Sequence, residues 1–182
     1  PHDQSSAASD VYKRQYQRLL KNMKNLYLLR HAKSSWDDFA LKDFDRPLST
    51  RGIQDADLMG NFFKSKRKGL DLVVSSPSKR TKETLDHFFN KTTQNIIFDE
   101  TIYHSSEQNI YSVIKDVEES ISSLMIVGHN PSMHEFSESF SGQFIEKFST
   151  CGLASFEFDD KWANVCEDSG TLTEFKIPSE LR

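Results

Sequence analysis

LMIVGHNPS, residues 124–132, passes from four consecutive apolar side chains into a polar turn and then a proline. An apolar run without alternation suits a strand buried on both faces. Pro131 stands where a following helix would begin, because proline is tolerated in a helix's first turn. Met133, Phe136 and Phe140 then recur at helical spacing and predict an inward face. The same unit of apolar run, polar turn and helix occurs upstream. Asn25–Leu29 reads as a strand ending in Arg30-His31, and Leu72–Val74 as one ending in Ser75-Ser76-Pro77. Repetition of that unit predicts an α/β fold with a largely parallel sheet.

Between these strands the helical pattern is equally regular. Ser49 or Thr50 can cap a helix running to about Lys68, with Ile53, Ala56, Gly60 and Phe63 on one face. A second helix from about Ser78 buries Thr81, Thr84, Leu85 and Phe88, and Asn95–Phe98 gives another strand. Ile110, Val113, Ile114 and Val117 mark a third helix. Alternation of Ala154, Phe156 and Phe158, followed by the extended Leu172–Ile177, adds two strands, with a turn at Asp159-Asp160-Lys161. The segment Ala32–Leu48 has neither period, and at 17 residues it is longer than an ordinary connection, which marks it as functional.

The whole chain of 182 residues fits one domain. Its 23 Lys and Arg against 27 Asp and Glu leave a net charge of −4, the wrong sign for a general nucleic-acid binder. No apolar run approaches the roughly 18 residues that span a bilayer, so neither a nucleic-acid nor a membrane partner is expected. Two cysteines, Cys151 and Cys166, form neither a disulfide framework nor a four-ligand zinc site. Reduced thiols in a cytoplasmic monomer are the expectation. Residues 1–22 lack the apolar core of a secretory signal. They read as a non-native or disordered extension before Met23, with residues 23–182 forming the domain.

Four polar clusters interrupt the pattern. Three follow strand ends, where open α/β sheets bind ligands: Arg30-His31, Ser75 to Arg80, and Gly128 to Ser132. The fourth, Asp45 to Gly52, leads into the first helix. Arg30 and Arg80 bring planar guanidinium forks that match phosphate oxygens, and a helix start beside Arg80 adds backbone donors. An imidazole, with a reference pKa of about 6.5, is nucleophilic when neutral and a good leaving group afterwards.

In order, LRHAKSSW (29–36), DRPLSTRG (45–52), SSPSKRTKET (75–84) and VGHNPS (127–132) resemble the histidine phosphatase superfamily, the phosphoglycerate-mutase-like group. The form with RHAKSSW is similar to its SixA-type phosphohistidine phosphatases. This resemblance implies a three-layer αβα sandwich with a mostly parallel central sheet. It implies that His31 is the nucleophile of a covalent phosphohistidine intermediate, that His129 is a second phosphate-contacting imidazole, and that no metal or cofactor takes part. Ser34 and Asn130 are read as phosphate contacts or as loop hydrogen bonds. Arg46 and Arg51 are read as substrate contacts or, preferably, as partners of Asp45. Lys33 and Trp36 are placed at the rim, Trp36 more as core packing than as a platform.

One departure from the family pattern carries chemical meaning. Its members place a carboxylic general acid shortly after the third strand, and this chain has Asp99 to His104 there, with His104 near the acid's place. His104 is the candidate proton donor, with Glu100 and Glu107 as nearby substitutes. Loss of a general acid typically costs about 10²–10⁴-fold for an alkoxide leaving group, whereas a protonated imidazole departs neutral. The expected substrate is therefore phosphohistidine on a protein. A small phosphoester, or a weakly catalytic phosphoprotein-binding role, is the alternative.

Overall fold

The computed structural model describes residues 23–66 and 69–182. The readings made for residues 1–22, and the extension of the first helix to Lys68, lie outside the described residues. The strands are β1 (Lys24–Arg30), β2 (Leu72–Ser75), β3 (Ile96–Phe98), β4 (Ser123–Gly128), β5 (Leu153–Phe158) and β6 (Thr171–Lys176). The helices are α1 (Thr50–Lys66), α2 (Lys79–Phe88), α3 (Glu107–Lys115) and α4 (Ser132–Ser141). They follow the predicted pattern to within a few residues. Val117 falls beyond the end of α3, and a short 3₁₀ turn at Trp162–Asn164 extends the turn after β5.

The six strands form one sheet in the order β3-β2-β4-β1-β5-β6. β1, β2, β3 and β4 run parallel, while β5 and β6 complete the sheet antiparallel. Alternating side chains of β1 supply two cores. Leu26 and Leu28 join Ile110, Ile114, Phe136 and Phe140 beneath α3 and α4. Tyr27 and Leu29 join Ala56, Met59, Leu85 and Phe88 beneath α1 and α2. The result is the expected three-layer sandwich. Full burial of each such side chain contributes about 1.5–3 kcal/mol, so neither face could be left uncovered.

Two close approaches set the layer on the α1 side. A Cβ at Gly60 would stand 2.0 Å from the Phe88 carbonyl oxygen, and one at Gly52 2.1 Å from that of Lys33. The first lets α1 press against α2, and the second seats the start of α1 on the loop that leaves β1. Ser49 fixes the same junction, accepting from the Gly52 N–H at 3.1 Å while donating to the Lys33 carbonyl at 3.0 Å. No helix among the described residues is long and apolar enough to cross a membrane.

Candidate active site

Strand order explains how residues 98 positions apart become neighbours. β4 lies directly between β1 and β2, in a register that pairs Arg30 with Gly128 and Ser75 with Val127. The His31 N–H donates to the Gly128 carbonyl at 3.1 Å, and the Ser76 N–H to that of Val127 at 3.0 Å. All three strand ends therefore open on one crevice at the switch in strand order. α2 then begins at Lys79 and puts Arg80 in its first turn. Thr84 ties the pieces together, accepting from the Ala32 N–H at 3.0 Å and donating to the Arg80 carbonyl at 2.6 Å.

The two imidazoles face each other with ring centroids 4.9 Å apart. His31 Nδ1 lies 2.7 Å from the Ala32 carbonyl. A carbonyl only accepts, so Nδ1 carries the proton and Nε2 keeps its lone pair. Burial pulls the His31 pKa down to about 3, assisted by Arg80 and Arg30 and opposed by the Ala32 bond and Asp43. The ring is thus neutral at neutral pH. His129 has the opposite tautomer: Nδ1 accepts from Arg80 Nη2 at 3.2 Å, and Nε2–H donates to Ser76 Oγ at 2.9 Å. Burial, then the charges of His31 and Arg80, bring its pKa down to about 2.

Arg80 is aimed by a residue of the long loop. Its Nη1 donates to the Asp43 carbonyl at 2.6 Å, and its Nη2 to Asp43 Oδ2 at 2.9 Å. Tyr103 donates its hydroxyl to Oδ2 at 2.9 Å, and Arg46 donates to Oδ1 at 3.1 Å. Burial pushes the Asp43 carboxyl up, but the Tyr103 hydroxyl and the Arg80 and Arg46 guanidiniums outweigh it and hold the pKa at about 2. On the other wall, Arg30 donates from Nη1 to the Phe148 carbonyl at 2.7 Å, and Asn130 Nδ2 donates to that oxygen at 3.0 Å. Arg30 Nε and Asn130 Oδ1 are buried without a hydrogen-bond partner. Between these walls lies a cavity of about 250 Å³ lined by Arg30, His31, Arg80, His129, His104 and Asn130, among others. A roomier groove of about 440 Å³ beside His87 and Phe63 has no such convergence of cations.

The sequence model of the histidine phosphatase superfamily (branch 1) matches residues 26–104. An uncharacterized protein of Mycobacterium tuberculosis is 30% identical over 160 residues, covering 82% of this chain and 99% of that one. This chain belongs to the histidine phosphatase superfamily. It is a phosphatase hydrolase. The phosphohistidine phosphatase SixA of Escherichia coli is 24% identical over 140 residues, covering 74% of this chain and 86% of its own. A solved structure from Agrobacterium tumefaciens, assigned to phosphohistidine phosphatase SixA, superposes with a TM-score of 0.73. It is 28% identical and covers 85% of this chain and 98% of that one.

Within this histidine phosphatase, the sequence-derived candidates separate into two groups. Arg30, His31, Arg80, His129, Asn130 and His104 meet at the cavity. Ser34, Lys33 and Arg46 do not line it. Lys33 is exposed, and Arg46, only 8% exposed, donates to Ser34 Oγ at 2.7 Å and to the Ser35 carbonyl at 3.1 Å. Asp45 is not the partner expected for the two arginines: Arg46 pairs with Asp43 and Arg51 with Asp55. Helical spacing of four residues favours the second pair. Trp36 is not core. It is 64% exposed and lies against the Arg46 guanidinium, 3.3 Å from its ring centroid. Glu100 and Glu107 lie off the cavity, and none of its wall residues is a carboxylate. Asp43, Tyr103 and Ser76 were not anticipated. The length of Ala32–Leu48 was the available signal for Asp43, and Ser76 lay within the polar cluster after β2 without a role of its own, whereas nothing in the sequence marked Tyr103.

Proposed function

We propose that this protein hydrolyses phosphohistidine on a protein, without a metal, through a phosphorylated His31. The observation that carries the reading is the His31 ring, locked by the Ala32 carbonyl with its Nε2 lone pair free and its charge suppressed, in a cavity flanked by Arg30 and Arg80. Nε2 attacks phosphorus while the bond to the substrate nitrogen breaks, and the protonated substrate ring departs as neutral imidazole. Water then attacks phosphorus, and the His31 Nε2–P bond breaks to release phosphate. Arg30, Arg80 and His129 meet the charge on the moving phosphoryl group, and with two guanidiniums no metal is required for that task.

The lack of a carboxylate in the cavity wall supports a P–N substrate, whose leaving group needs little help. The SixA likeness supports it too. His104 in the wall favours one second reading, a small-ester phosphatase with His104 as the acid. Values of kcat/KM on a phosphohistidine protein, a phosphoserine peptide and simple phosphate esters separate the two. A P–N preference of at least about 10²-fold is expected, and equal or better ester hydrolysis would overturn the reading. Rapid-quench ³²P trapping should label His31. Phosphate binding without label would instead identify a binding module. EDTA should leave the rate unchanged, and a large loss would reveal a metal requirement.

A further inference from the structure

Seven large apolar side chains are conspicuously exposed among the described residues, and four of them, Trp36, Phe39, Leu41 and Phe44, fall within nine positions of the active-site loop. Phe39 is 87% exposed. Scattered exposed apolar residues are ordinary, but a concentration of them marks an interaction site. Every residue from Asp37 to Asp45 is exposed, and this stretch carries four aspartates and one lysine. Asp43 is paired with Arg46 and Arg80, which leaves Asp37, Asp38 and Asp45 against Lys42, so an apolar surface is set in a negative one, beside a cavity whose own walls are cationic.

The segment is also held in place. The Ser34–Leu48 bridge and the Ser35 N–H to Pro47 carbonyl bond at 2.8 Å close its base. Arg46, beneath Trp36, bonds to both Ser34 and Asp43. Phe44 packs edge-on against Tyr103 with centroids 5.1 Å apart, and Tyr103 and Arg80 both bond to Asp43. The exposed surface therefore runs without interruption into the group that holds Arg80. The two ends of the segment, with Trp36 and Phe44, are thus fixed and lose little entropy on binding.

Building on the reading of a protein substrate, we propose that Trp36–Asp45 is the docking surface for that substrate. The partner it fits is a protein whose phosphohistidine is flanked by apolar and basic side chains. The phosphoryl group enters the cationic cavity, and the flanking residues meet Phe39, Leu41 and the surrounding aspartates. Charge of this arrangement steers encounter and rejects acidic competitors.

Two histidine peptides phosphorylated with phosphoramidate, one flanked by Leu and Arg and the other by Ser and Glu, test the assignment. Wild-type enzyme should favour the first by at least tenfold in kcat/KM. Phe39→Ser with Leu41→Ser, and separately Asp37→Lys with Asp38→Lys, should each remove most of that preference while leaving hydrolysis of free phosphoramidate unchanged. Equal wild-type rates on the two peptides would overturn the docking surface, as would a preference that survives both double variants. If the wild type cleaves none of these P–N compounds but does cleave phosphate esters, the P–N reading has failed on its own. Phosphoserine versions of the same two peptides then decide the docking surface by the same ratio.

Discussion

His31 is an imidazole whose charge has been removed by its surroundings. A ring of ordinary pKa would be half protonated near pH 6.5, whereas burial brings this one to about 3. NMR of the free enzyme should therefore show the His31 ring signals unchanged from pH 8 to pH 5, and an inflection near 6.5 would contradict the buried neutral ring. Ser76 performs a comparable service for His129 by accepting its Nε2–H. Ser76→Ala removes the nearer acceptor and leaves that buried donor only the long contact to Ser78 Oγ at 3.5 Å, at a cost of about 0.5–1.5 kcal/mol. It should lower kcat about tenfold with the fold intact, and wild-type turnover in the variant would dismiss Ser76 as a positioning residue. Arg30, His31, Arg80 and His129 were singled out through four motifs taken in order, and the structure brings all four to one cavity. Asp43 and Tyr103 were not, because Asp43 acts on Arg80, 37 positions along the chain, and Tyr103 acts on Asp43, 60 positions away.

At the scale of elements, packing of α1 on α2 depends on the absence of a side chain at Gly60. Gly60→Ala would place a methyl group against the Phe88 carbonyl, where backbone must move. A loss of about 1–3 kcal/mol is expected, measurable as a lowered urea midpoint. Gly69→Ala, with nothing within 4 Å, is the matched comparison and should stay within about 0.5 kcal/mol of wild type. Helices and strands were readable from periodicity because each buries one stripe or one face against the sheet. The active-site loop was readable only as a length. Its shape depends on Arg46, which finds Asp43 three residues back and Ser34 twelve residues back, and on Trp36, which covers that guanidinium instead of entering the core. Polar contacts of this kind have no period for a sequence to display.

For the whole molecule, two buried neutral histidines make stability depend on pH. Both have folded-state values, about 3 and about 2, below the unfolded value of about 6.5. The unfolded chain consequently binds more protons between those limits, so this stabilisation is fully present above about pH 6.5 and declines as the solution becomes more acid. Each ring contributes at most about 1.4 kcal/mol per pH unit over that interval. Urea unfolding at pH 7 and pH 5 should show the decline, and His31→Asn should reduce its slope. A slope identical to wild type in that variant would exclude His31 as a source.

The position of β4, inserted between two strands made earlier, has a consequence for the timing of activity. A ribosome that has released only the chain up to β3 has exposed Arg30, His31 and Arg80 but not the strand that joins their two halves. Residues 123–132 fill the gap between those halves, so a partial product of translation carries both arginines of the cavity and is expected to be inactive until they emerge.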